Sequence, residues 1–182
     1  SIQHKPIEGF VLCGGASSRM GSDKAFLKLD GIPLALHVAR QMQSFGCTRV
    51  RLIGKNPKLK SLGFDVIFDT SASFHPLQGV FQALNHSETH NILIAPCDTP
   101  FVSAKILDKL YKTSPPAYIQ NNPLIAHLTK LQIKRSLLFW QNNQSVFDFM
   151  SNADMIGISE QRLININSPM DADMAKIKLS QQ

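Results

Sequence analysis

The sequence predicts an α/β fold: a doubly wound, mostly parallel sheet with helices on both faces. Three observations predict it. Short apolar runs alternate with segments of helical period, the pattern of repeated β-α units. The run Ile92-Leu93-Ile94 is continuously apolar rather than alternating, as in a strand covered on both faces. A glycine-rich loop, Asp69 and Asp98 each follow an apolar run, and such folds bind ligands at the carboxyl ends of their strands.

The elements follow in order. Phe10-Val11-Leu12 reads as a short buried strand, and the glycine-rich loop after it extends to Lys24. Lys28-Leu29-Asp30-Gly31 reads as a turn. Pro33 suits the first position of a helix whose stripe is Leu34, Val38, Met42 and Phe45, with Gly46 as its C-cap. His37 within it reads as a structural residue. The second strand covers 50–53, ended by Gly54, and 58–62 reads as a short helix. The third strand covers 64–68 and ends at Asp69. A loop over 70–76 leads to a helix over 77–85. The fourth strand, 91–95, runs into Pro96-Cys97-Asp98-Thr99-Pro100, and Ser103 caps a helix to about residue 111.

The second half is less regular. Strands are expected over 117–120, 124–128, 154–158 and 163–166, with a turn at Asn121-Asn122-Pro123. A helix is expected over 131–141. Ser145-Val146-Phe147-Asp148 resembles a capping box, and Ser168-Pro169 the start of a last helix. No repeat or linker divides the chain, so one domain over 1–182 is expected.

Composition narrows the classes. The 182 residues are 43% hydrophobic, as in a globular protein. No apolar run nears the ~18 residues that span a membrane. Ser1 to Pro6 holds no apolar core of a signal peptide. Cys13, Cys47 and Cys97 have no metal-site spacing and are expected as reduced thiols, hence a cytoplasmic location. The net charge is +6, but the basic residues are scattered without stacking aromatics. That argues against nucleic acid and for an anionic small ligand.

The loop after the first strand carries the chemistry. Gly14 and Gly15 let the backbone bend and approach a ligand; Gly21 follows, with Arg19 and Lys24 as cations. Free backbone N–H groups with Arg and Lys suit a polyphosphate. The spacing is neither that of a P-loop nor that of the dinucleotide fingerprint. Asp98, after a buried strand, suits Mg²⁺ or the capping of a turn. Cys13 and Cys97 flank this site and read as small buried residues.

Leu12-Cys13-Gly14-Gly15 through Arg19-Met20-Gly21-Ser22-Asp23-Lys24 resembles the signature loop of nucleotidyltransferases. The adjacent glycines and the Asp-Lys ending are most similar to the molybdenum cofactor guanylyltransferases (the MobA family). The resemblance implies a Rossmann-like nucleotidyltransferase fold and Mg²⁺-dependent transfer of GMP from GTP to molybdopterin, with release of pyrophosphate. It implies Leu12, Gly14, Gly15 and Asp69 as nucleotide-binding residues. Arg19 and Lys24 would act on the phosphates, and Asp98 would bind both nucleotide and Mg²⁺. Asn122-Pro123 and Asn165-Ile166-Asn167 match segments on the acceptor side. The implied halves are about 1–112 for the nucleotide and about 113–182 for the acceptor. GTP and molybdopterin are the implied partners, with molybdoenzymes or cofactor-delivery proteins as recipients, and neither nucleic acid nor membrane. Pro76-Leu77 and Gly79 match a Gly-Pro-Leu-Ala-Gly segment near the base. The chain departs from it with His75 for the usual glycine and Gln78 for the usual alanine, and Asn122 replaces a usual histidine. Two rivals stay open on the sequence: transfer with another base or acceptor, such as a cytidylyltransferase, and a weak nucleotide-binding module that hands cofactor to a partner.

Overall fold

The computed structural model describes residues 4–14, 23–158, 163, 165–166 and 171–174. Its strands are β1 (Glu8–Leu12), β2 (Lys28–Leu29), β3 (Ile32–Pro33), β4 (Val50–Gly54), β5 (Asp65–Phe68), β6 (Asn91–Pro96), β7 (Ala117–Ile119), β8 (Asn122–Thr129) and β9 (Asp154–Ile156). Its helices are α1 (Leu34–Phe45), α2 (Pro76–His86), α3 (Ala104–Lys112), α4 (Ile133–Gln141) and α5 (Val146–Phe149).

One seven-stranded sheet runs in the order β5-β4-β1-β6-β8-β7-β9. The pairs β5-β4, β4-β1 and β1-β6 are parallel, as is β7-β9, while β8 is antiparallel to both its neighbours. This is the expected doubly wound, mostly parallel sheet. The parallel strands are connected through helices that cover both faces. On one face α1 and α3 bury Val38, Met42, Leu107 and Leu110 against Val11, Leu52 and Leu93. On the other, Leu77, Val80 and Leu84 of α2 pack on Phe10, Ile53, Ile92 and Ile94. The period of two along each strand divides its side chains between these cores. Each fully buried Leu, Ile or Phe contributes about 1.5–3 kcal/mol. The parallel strands at the centre of the sheet are therefore the most firmly held, and their carboxyl ends make a rigid ledge.

Helix ends follow the sequence chemistry. Gly46 closes α1 at φ +110°, its N–H donating to the carbonyls of Gln43 and Met42. Ser103 Oγ accepts from the N–H of Ile106 at the start of α3. Ser145 and Asp148 form the expected capping box on α5.

Some expectations are corrected. Pro33 is not the first helical residue. The turn at Asp30 (φ 54°) and Gly31 (φ 75°) closes a small hairpin, and Pro33 ends β3 in an extended conformation. Asn122 and Pro123 belong to β8 rather than to the turn, which bends at Asn121 with φ 66°. Residues 163, 165 and 166 are in no strand, and the N–H of Ile166 goes instead to the carbonyl of Asp98. Leu131 lies on a 3-10 turn before α4 and is largely exposed. The proposed start of the last helix at Ser168 lies outside the described residues; 171–174 are helical.

Candidate active site

The register of β1 on β6 builds the site. Leu12 is paired with Pro96, and Cys97 N–H donates to Leu12 O at 3.0 Å. Gly14 and Asp98 therefore emerge side by side from the centre of the ledge. Lys24 enters from the far end of the glycine loop, in a 3-10 turn (Lys24–Phe26) capped by Asp23, whose carboxylate accepts from Ala25 N–H at 3.0 Å. Lys24 Nζ lies 3.7 Å from Asp98 Oδ2.

These groups open into a cleft of about 380 Å³. Leu12, Gly14, Lys24 and Asp98 line one side; Asn122, Pro123, Phe147 and Asn165 line the other. A smaller hollow of about 70 Å³ shares Leu12, Gly14, Pro96 and Leu124 with it and leads to Asp69, His75 and Gln78. The ligand space is thus elongated, with Gly14 at the junction. Its longer axis suits a nucleotide in one arm and a second substrate in the other.

Asp98 is the electrostatic centre. Burial raises its carboxyl above the ordinary 3.8, and the Lys24 cation and the Asn165 side chain pull it part of the way back. Its Oδ1 is buried without a hydrogen-bond partner among the described residues. A carboxylate oxygen held this way is suited to a hard cation. Among the described residues, no group of three His, Cys, Asp or Glu side chains is placed to hold a metal. A cation here would take Asp98 as a protein ligand and complete its shell with phosphate oxygens and water, the usual habit of Mg²⁺.

Asp69 is held on both oxygens. Oδ2 pairs with Lys55 Nζ at 2.8 Å; Oδ1 accepts from Gln78 Nε2 at 2.8 Å and from Ser71 N–H at 2.9 Å. Lys55 also donates to the Ser71 carbonyl and lies over the Phe74 ring. Ser73 Oγ accepts from Trp140 Nε1 at 3.0 Å, which fixes the wall of the hollow to α4. His75 has φ −68°, an ordinary extended conformation, so a side chain costs no strain where the resemblance expects glycine.

The structure therefore brings together Leu12, Gly14, Lys24, Asp98, Asn122, Pro123 and Asn165 in the cleft and puts Asp69 in the adjoining hollow. Gly15, Arg19 and Asn167 lie outside the described residues. Cys13 and Cys97 are buried free thiols, as expected, and the hydrogen bond with the Cys97 thiol, together with burial, raises Cys13 well above its ordinary value. Sequence reasoning missed Lys55 and Phe147. Lys55 directly follows a strand, the same signal that exposed Asp69 and Asp98. Phe147 had no signal beyond its place in a capping box.

Comparison with known proteins points the same way. The model described as a MobA-like NTP transferase domain matches residues 9–135. A probable molybdenum cofactor guanylyltransferase of Flavobacterium johnsoniae is 35% identical over 101 residues, 56% of this chain. That match covers 53% of the relative, so the chain spans about half the length of that protein. A molybdenum cofactor guanylyltransferase of Yersinia pestis is 30% identical over 183 residues, covering 92% of this chain and 94% of the relative. Among solved structures, molybdopterin-guanine dinucleotide biosynthesis protein A from Archaeoglobus fulgidus is similar with a TM-score of 0.75 at 19% identity. It covers 97% of this chain and 100% of that one, and at this identity it speaks for the fold.

Proposed function

We propose that this chain, which belongs to the family of MobA-like NTP transferases, transfers GMP from GTP to molybdopterin. The products are molybdopterin guanine dinucleotide and pyrophosphate. The observation that carries the reading is the Lys24–Asp98 pair, which lines the larger arm of the cleft together with Gly14. A cation to meet phosphate charge and a carboxylate to hold a metal ion are the two groups this transfer calls for, and the pair supports the reading.

In the reaction an acceptor phosphate oxygen attacks the α-phosphorus, and the bond from that phosphorus to the β-phosphate oxygen breaks. Charge accumulates on the departing pyrophosphate. Fixed cations aimed at that charge stabilise the transition state without reorganising. Lys24 fills that role, and Arg19 of the same loop is its proposed companion. Gly14 and Gly15 let backbone N–H groups approach the phosphates. Asp98 would hold Mg²⁺, which when bound neutralises phosphate charge and orients the triphosphate. Leu12 lies along the nucleotide arm, and Asp69 shapes its far end through Lys55 and Gln78. Asn122, Pro123, Asn165 and Asn167 are the proposed acceptor contacts. In this reading about 1–112 is the nucleotide half and about 113–182 the acceptor half of one domain.

GTP and molybdopterin are the proposed partners, with molybdoenzymes or their cofactor-delivery proteins receiving the product. No helix among the described residues is long and apolar enough to cross a membrane. Three free, buried thiols support a cytoplasmic location. The test is pyrophosphate release. It should require GTP, Mg²⁺ and molybdopterin together; release without molybdopterin, or none with all three, contradicts the reading.

A further inference from the structure

α2 opens with His75 as its N-cap and carries Gln78 one turn on. Neighbours fix both side chains. His75 Nδ1 accepts the N–H of Leu77 at 3.0 Å. A ring nitrogen that accepts carries no proton, so the proton of this imidazole is on Nε2. Gln78 is buried and its Nε2 donates to Asp69 Oδ1 at 2.8 Å. A carboxylate paired with Lys55 only accepts, so the NH₂ end of the amide must face it. The carbonyl Oε1 of Gln78 is thereby turned away from Asp69. Neither His75 Nε2 nor Gln78 Oε1 has a partner among the described residues, and both residues line the hollow at the nucleoside end of the cleft.

We propose that His75 and Gln78 read the base. The inference rests on the cleft being a nucleoside triphosphate site. His75 presents an N–H and Gln78 a C=O, three residues apart on one face of the helix start. A donor beside an acceptor complements a lactam edge, a carbonyl next to a ring N–H. Guanine and hypoxanthine present that edge at O6 and N1–H, and uracil at O4 and N3–H. Adenine and cytosine present the opposite order, an amino group next to a bare ring nitrogen. Held by the sugar and phosphates in the register that suits the lactam edge, they set donor against donor and acceptor against acceptor. The resemblance expects glycine and alanine at these positions, and neither has a polar side chain to read with. The reader therefore belongs to this chain's own residues. Asp69 is a positioning residue in this scheme: it holds the Gln78 amide in one orientation, and Lys55 and Ser71 N–H hold Asp69.

Calorimetric titration in Mg²⁺ buffer with GTP, ITP, UTP, ATP and CTP tests this on the unaltered chain. The lactam nucleotides should bind more tightly than ATP and CTP, GTP over ATP by about ten- to a hundredfold, the worth of one two-point base contact. His75→Asn keeps a good N-cap but lacks Nε2–H, and Gln78→Leu keeps size but lacks the carbonyl. Each should shrink the GTP:ATP ratio roughly three- to tenfold, the worth of a neutral hydrogen bond. Asp69→Asn, which lets the Gln78 amide turn over, should shrink the same ratio; a merely structural role would weaken all five nucleotides together. Wild-type protein that binds ATP or CTP as tightly as GTP overturns the reader, as do His75→Asn and Gln78→Leu variants with the wild-type ratio. In both cases the nucleotide site itself stands. If no nucleotide binds the unaltered chain, the reading of the cleft falls, and the reader with it.

Discussion

The backbone N–H of Ile166 donates to the carbonyl oxygen of Asp98 at 2.8 Å. This bond straps the segment at Asn165 and Ile166, in the proposed acceptor half, onto the end of β6 and brings the Asn165 side chain to the Asp98 carboxylate. The strap does not depend on the Asn165 side chain. Asn165→Ala should therefore leave the melting temperature almost unchanged while lowering kcat by about three- to tenfold, the loss of one hydrogen bond. Steady-state kinetics beside a thermal melt checks both halves of the statement.

Lys24 supplies the one described cation of the glycine loop, 3.7 Å from Asp98. Lys24→Ala removes a charged hydrogen bond to the triphosphate, worth ~1.5–3 kcal/mol. The expected loss is about ten- to a hundredfold in kcat/KM for GTP. Initial rates of pyrophosphate release measure it, and a normal rate would remove Lys24 from the mechanism.

Asp98→Asn keeps the shape of the side chain and removes the charge. GTP binding should then lose most of its dependence on Mg²⁺ while the fold stays intact, because the carboxylate is the proposed protein ligand of the cation. A Mg²⁺ titration of GTP affinity, with circular dichroism as the control, reads this directly. An unchanged titration would contradict the metal assignment.

Gly54 ends β4 against Cys13. A Cβ at this position would lie 2.6 Å from Leu59 Cδ1, 3.2 Å from the Cys13 carbonyl oxygen and 3.3 Å from Cys13 Cβ. The leucine tip can move aside, but the backbone of Cys13 is fixed by the sheet. Gly54→Ala should destabilise by about 1–3 kcal/mol, the usual cost of overpacking. Chemical denaturation gives the number, and GTP binding should weaken with it because Gly14 follows Cys13.

His127 carries a pH dependence. Its Nδ1–H is shared between the carbonyls of Leu110 and Thr113, at 2.9 and 3.0 Å, and its Nε2 is buried without a partner among the described residues. Burial lowers its pKa below the ordinary 6.5, and the two carbonyls offset only part of that. Below 6.5 the unfolded chain takes up a proton that the folded chain resists. This contribution to stability is present in full above that pH and is lost as pH falls toward the folded value. Melts from neutral to mildly acid pH should fall more steeply for wild type than for His127→Gln, which keeps a donor but does not titrate. Equal slopes would contradict it.

The parallel half of the fold was legible because its strands are continuously apolar and its turns are marked by glycine, proline and asparagine. The grouping of the candidate residues was legible for the same reason: Gly14, Asp69 and Asp98 follow strands, and the topology brings those strand ends together. The hairpin of β2 and β3 escaped because two-residue strands have no period. The expected strand over 163–166 failed because Ile166 is apolar for a different purpose, packing with Leu29 and Leu34. His75 and Gln78 were visible as departures from a pattern. Their meaning needed the Asp69 carboxylate beside Gln78 and the Leu77 N–H on the imidazole, contacts that spacing alone cannot supply.

The most direct measurement follows the α-phosphorus. With GTP labelled at that atom, Mg²⁺ and molybdopterin, label should appear in a molybdopterin dinucleotide, equimolar with unlabelled pyrophosphate. Label that remains in GTP, or that appears as free GMP or GDP, would contradict the proposed transfer.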